Sequence, residues 1–223
     1  MLEAVVFDFD GVLVDSEPLH YQAFVLIGRS LGIEMTFEQY VAEYIGFDDR
    51  DAFRVMLETA GQDASPARVA ELCAAKQPAF DTITQAAAQS GGIGLPGAVE
   101  LVDAVKASGL KMAIASGATR ADIDLMLGLL DRRDVFEIIV TADDVERSKP
   151  DPASYSLAVE KLGVEPGHCV AIEDTLAGLM SAAAAGLRTV GVATTHPADT
   201  LAADNVVEGM QQLSVDQLRA WFG

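Results

Sequence analysis

Five charged side chains and one hydroxyl in this 223-residue chain stand where they can do chemistry: Asp8 and Asp10 in DFDGV, Ser116 in MAIASGAT, Lys149 in RSKPDP, and Glu173 and Asp174 in VAIEDT. Carboxylates gathered at one place repel each other unless a cation sits among them. An all-oxygen set suits Mg²⁺ rather than zinc or copper, and Mg²⁺ usually takes one or two carboxylates together with phosphate oxygens. A carboxylate can attack phosphorus to give an aspartyl phosphate. A metal and a lysine ammonium then hold the charge on the phosphoryl oxygens. Period-two strand geometry puts Asp10 on the same face as Asp8, where it can protonate a leaving oxygen and then activate water.

For these residues to meet, the elements that carry them must end at one edge. Glu3–Phe9 reads as a short buried strand closed by Asp10-Gly11. Strands are also expected at Lys111–Ala115, Glu137–Thr141, Cys169–Ile172 and Thr189–Val192, alternating with helices at Ala98–Ser108, Ala121–Leu130, Ala153–Leu162, Ala177–Ala185 and Val215–Phe222. Such alternation predicts an α/β fold, a doubly wound parallel sheet whose ligands sit beyond the carboxyl ends of its strands. Between them, residues 16–88 have helical spacing, with helices at Thr36–Tyr44, Arg50–Ala60 and Pro66–Ala88 and breaks near Gly32, Gly46 and Gly61. The expected division is therefore a catalytic domain of residues 1–15 and 89–223 and a smaller, all-helical domain of residues 16–88.

Each segment alone has an ordinary structural reading. Asp-Gly is a common turn pair, and Ser116-Gly117 can cap a helix whose amino end is also an anion site. Lys149 can be a solvated lysine, and Glu173-Asp174 can complement a helix dipole. The four together, each at a strand end, outweigh these readings.

Composition narrows the function. The net charge of −19, from 34 acidic and 15 basic residues, repels nucleic acid and anionic membranes. Cys73 and Cys169 are too few and too far apart for a disulfide framework or a zinc site. No secretory leader or membrane-spanning run is legible, so a cytoplasmic, soluble protein is expected. No heptad seam occurs, which makes a monomer the expectation.

In order and in position, the four segments resemble the motifs of the haloacid dehalogenase-like hydrolases, over nearly the whole chain. The resemblance implies Asp8 as nucleophile, Asp10 as general acid/base, and Ser116 with the amides of Gly117 and Ala118 around the phosphate, beside Lys149. It also implies Mg²⁺ held by Asp8, the Asp10 backbone carbonyl and Asp174, with Glu173 as a further ligand or as a neighbour behind them. The helical insert matches that family's cap domain. Within the family the chain looks like the phosphatases of sugar phosphates and phosphoglycolate, together with β-phosphoglucomutase. His20, Arg50 and Lys76 are the candidate substrate-binding groups of the cap. His20 and Lys76 sit where the mutase has similar residues, whereas the loop GFDDRDAF displaces Arg50 and sets two aspartates before it. A phosphatase acting on a small phosphate ester is therefore expected ahead of an intramolecular phosphotransferase. Asp10 and the acidic pair argue against a metal-free dehalogenase, and the complete motif set argues against a non-catalytic binding protein.

Overall fold

The computed structural model describes residues 1–45 and 47–223, so the helix break expected at Gly46 lies outside the described residues. In chain order the elements are β1 (Ala4–Phe7), α1 (Glu17–Ser30), α2 (Phe37–Glu43), α3 (Asp49–Thr59), α4 (Pro66–Ser90), α5 (Ala98–Ala107), β2 (Lys111–Ala115) and α6 (Arg120–Leu129). They continue with β3 (Ile138–Val140), α7 (Ala153–Leu162), β4 (Cys169–Glu173), α8 (Leu176–Ala184), β5 (Arg188–Val192), β6 (Asn205–Val207) and α9 (Val215–Phe222). The chain divides into two compact units, Met1–Asp15 with Ile93–Gly223, and Ser16–Gly92.

In the first unit the strands form one sheet in the order β3-β2-β1-β4-β5-β6. Every pairing is parallel. Parallel sheets are covered on both faces, which explains why β1 is a wholly buried AVVF and β4 a wholly buried CVAIE. Alternate residues Ala4 and Val6, Ala113 and Ala115, and Cys169 and Ala171 share one face, where Tyr155, Ala158, Val159 and Leu162 of α7 join the same core. Truncating Leu162 to alanine there should cost about 2–5 kcal/mol. Because the strands run the same way, their carboxyl ends share an edge. The order reverses at β1, with β2 on one side and β4 on the other, and this is the switch point at which such sheets bind ligands.

Two local differences from the sequence reading have physical causes. Strand β6 was not anticipated; its three residues are too few to show a period, and they are strand because they pair with β5. Strand β1 stops at Phe7 rather than Phe9. Beyond it the N–H groups of Leu13 and Val14 both turn back to the Phe9 carbonyl, at 2.8 and 3.2 Å, and Gly11 N–H donates to the Val14 carbonyl at 2.9 Å. Asp10 therefore sits on a turn, and strand periodicity does not place it.

The second unit holds its own core, with Phe24, Tyr40, Phe53, Met56, Leu57 and Leu72 among its buried members. Its helices start at chemical signals. Thr36 and Gln39 make a reciprocal capping box on α2, and Asp48 accepts from the Asp51 N–H on α3. Proline occupies the first turns of α1 and α4. Helix α4 runs on to Ser90, a little past the expected end at Ala88.

Candidate active site

The end of β1 delivers Asp8 beside the end of β4. Asp8 N–H donates to the Ile172 carbonyl at 2.9 Å. Its Oδ1 accepts from the Phe9 N–H at 2.7 Å and lies 2.9 Å from Lys149 Nζ. The same Nζ is 2.7 Å from Glu173 Oε1. Lys149 thus bridges the two carboxylates, reaching them from a segment nine residues beyond the end of β3. The Tyr155 ring lies 5.1 Å from that ammonium, and its hydroxyl is 3.4 Å from Glu173 Oε1. This is a cation–π contact on a buried ring.

Glu173 and Asp174 close β4 and lead into α8. The second Glu173 oxygen, Oε2, accepts from the N–H groups of Asp174 and Thr175, both at 2.8 Å, and from Thr175 Oγ1 at 2.9 Å. Glu173 is therefore saturated by protein donors. Asp174 is not: its Oδ1 is buried and has no hydrogen-bond partner. The Asp174 carboxylate lies against Gly11, where an added Cβ would come within 2.6 Å of its Cγ. Gly11 also has φ +70°, so both the turn and the close approach demand glycine there. The Thr194 hydroxyl donates to the Gly11 carbonyl, tying the turn to the end of β5.

Asp8, Glu173 and Asp174 are buried, and each offers an oxygen within 4.8 Å of the others. Burial, followed by the charge of Glu173, pushes the Asp8 carboxyl well above its ordinary value despite Lys149. Burial and then Glu173 push Asp174 up to about 7. Burial opposes ionisation of Glu173 as well, but the Lys149 ammonium and the donors around it outweigh this and hold Glu173 low. For Lys149, burial is outweighed by Asp8 and Glu173, and its value is raised. One ammonium for three carboxylates leaves a deficit of positive charge, and the orphaned Asp174 oxygen marks where it falls. A hard divalent cation fits this donor set.

On the other side of β1, Ser116 follows β2. It is 1% exposed, its N–H donates to the Val140 carbonyl at 3.0 Å, and its Oγ accepts from the Ala118 N–H at 3.0 Å. Gly117 and Ala118 lead to Thr119, which caps α6. This loop is braced from β3: Arg120 N–H donates to Asp143 at 2.9 Å, and its guanidinium reaches the Ile139 carbonyl at 2.7 Å.

His20, Arg50 and Lys76 belong to the helical unit. Lys76 is 1% exposed; its ammonium is ion-paired with Asp49, lies 3.0 Å from His20 Nδ1, and is 4.2 Å from the centre of the Phe24 ring. His20 stacks on Phe80, and burial, then the Lys76 charge, holds it well below the usual histidine value. Arg50 is exposed at the start of α3. Sequence reasoning missed Asp49, Tyr155, Thr175 and Thr194. For Thr194 a signal was present, since the pair Thr194-Thr195 follows a strand just as Ser116 does.

Comparison with known proteins identifies the family. A family model described as haloacid dehalogenase-like hydrolase matches residues 5–192. The chain is 38% identical to protein CbbY of Rhodobacter capsulatus over 195 residues, 85% of this chain and 84% of that protein. It is 33% identical to hexitol phosphatase B of Escherichia coli over 192 residues, 85% of this chain and 82% of the relative. A crystal structure of β-phosphoglucomutase from Clostridium difficile superimposes with a TM-score of 0.84 at 25% identity, covering 100% of this chain and 97% of that one. The chain belongs to the haloacid dehalogenase-like hydrolases and is an enzyme of their phosphatase type.

Proposed function

We propose that this protein is a Mg²⁺-dependent phosphatase of small sugar-phosphate-like esters, working through an aspartyl phosphate on Asp8. The observation that carries the reading is the buried Asp8–Lys149–Glu173 bridge beside an Asp174 oxygen without a protein donor. Asp8 and Asp174, with the Asp10 backbone carbonyl, would hold the cation, and Glu173 would orient Lys149 at their edge. When bound, Mg²⁺ supplies charge that keeps Asp8 ionised and offsets the negative charge of the phosphoryl oxygens.

In the first step an Asp8 carboxylate oxygen bonds to phosphorus as the bond to the ester oxygen breaks, and the Asp10 carboxyl gives its proton to the leaving alcohol. Ser116, the amides of Gly117 and Ala118, and Lys149 hold the other phosphoryl oxygens as charge spreads over them. In the second step Asp10, now a carboxylate, takes a proton from water. The water oxygen bonds to phosphorus, the bond to Asp8 breaks, and inorganic phosphate leaves.

A mutase shares the phosphoenzyme and returns the phosphoryl group to a sugar hydroxyl, and the likeness to β-phosphoglucomutase favours that second reading. It requires cationic groups for a second phosphate. His20, Lys76 and Arg50 are the candidates in the helical unit, and Lys76 is already matched by Asp49. The phosphatase reading is therefore preferred. Phosphate release from a panel of sugar phosphates and phosphoglycolate, with Mg²⁺ or EDTA, tests it. Release that needs Mg²⁺ and disappears in Asp8→Asn is expected. Conversion of β-glucose 1-phosphate to glucose 6-phosphate without phosphate release would replace it with the mutase.

A further inference from the structure

We infer that Gly178 is a positioning residue of this site: its missing side chain leaves the seat in which the Glu173 carboxylate lies, and through Glu173 it aims the Lys149 ammonium at Asp8. The inference rests on the assignment of Asp8 and Lys149 made above.

Gly178 is buried in the first turn of α8, and its φ is not in the left-handed region. Backbone conformation therefore does not require glycine. Local propensity opposes it, because alanine is the better helix former. The reason is space: a Cβ at 178 would overlap Oε1, Cδ and Oε2 of Glu173, closer than side chains approach one another. The backbone of Gly178 also serves Glu173 through the Thr175 hydroxyl. Gly178 N–H donates to Thr175 Oγ1 at 3.1 Å, and that hydroxyl donates to Glu173 Oε2 at 2.9 Å.

Neither element can yield to an added methyl group. Strand β4 is paired on both sides, and α8 is anchored by Leu179 and Ala182, at 1% and 0% exposure. The Glu173 side chain has to swing away instead. It then gives up the three donors at Oε2, and Lys149 loses the carboxylate on which Oε1 holds it.

A double-mutant comparison tests this. Urea midpoints, and kcat and KM for 4-nitrophenyl phosphate with Mg²⁺, are measured for the wild type, Gly178→Ala, Glu173→Ala and the double variant, with Asp8→Asn alongside. Gly178→Ala is expected to lower the midpoint and to cut kcat about tenfold or more, with KM moving less than about threefold. In the Glu173→Ala background the same change should leave kcat where it is and raise the midpoint, since the methyl group then has room on a helix that favours it. An equal fall of the midpoint in both backgrounds, an unimpaired kcat in the single variant, or a double variant that fails to fold like the single one would overturn the inference. Activity in Asp8→Asn would instead overturn the site assignment, and the urea midpoints would still decide the seat of Glu173. If 4-nitrophenyl phosphate is not turned over, a substrate from the phosphate-release panel takes its place for kcat and KM.

Discussion

Asp8 and Asp174 owe their behaviour to the same shortage of positive charge. Both are buried beside Glu173, and Lys149 is the cation that bridges Asp8 and Glu173. With its value near 7, Asp174 in the metal-free protein carries a proton through mildly acidic pH and loses it near neutrality. The sign follows from its being raised: the native state binds the proton more tightly than the unfolded chain does, so this contribution to stability is lost as pH rises toward 7. Asp8 acts in the same direction. His20, held low, acts in the opposite one: its contribution is lost as pH falls below the ordinary histidine value. A cation must displace the protons held by Asp8 and Asp174, so its affinity rises with pH through neutrality. The rise in melting temperature on adding Mg²⁺ to EDTA-treated protein should therefore be larger at pH 8 than at pH 6. A shift of equal size at both values would contradict the assignment of Asp8 and Asp174 as ligands.

At the scale of elements, the site is made by where strands stop. The turn from Phe9 to Val14 lets the Asp174 carboxylate approach the backbone at Gly11. Gly11→Ala forces a left-handed φ on a residue with a Cβ, at about 1–2 kcal/mol. It also pushes Asp174 aside, so Mg²⁺ binding followed by calorimetry should weaken about tenfold or more. Unchanged affinity would show that Asp174 does not depend on the turn. The central strands were legible because both of their faces are covered and they read as continuous apolar runs, and the polar residues just past them were legible for the same reason. Asp10 was found by type, yet its place comes from a turn whose hydrogen bonds leave no period in the sequence. The roles of Tyr155 and Asp49 depend on which helix lies beside which side chain. Tyr155 reads as an ordinary core residue of α7, and Asp49 pairs with Lys76 across α3 and α4, a meeting of residues far apart in the chain.

For the molecule as a whole, the dominant quantity is the charge of −19. Among the described residues no helix is long and apolar enough to cross a membrane. A field of this sign attracts Mg²⁺ and repels a dianionic ester, and salt screens both effects, with a Debye length of about 10 Å at 0.1 M. Raising KCl at saturating Mg²⁺ should lower KM for a sugar phosphate by about two- to threefold while weakening Mg²⁺ binding, the two moving in opposite senses. A KM that rises with salt would mean that local cations dominate substrate approach. The central claim, that Asp8 carries the phosphoryl group, is tested most directly by trapping. The enzyme is quenched in acid during turnover of a substrate identified from the panel, and the peptide bearing Asp8 is examined by mass spectrometry. A phosphoryl increment on Asp8, formed with Mg²⁺ and absent with EDTA and in Asp8→Asn, is the predicted result; steady turnover with that peptide unmodified and the increment on another residue would contradict it.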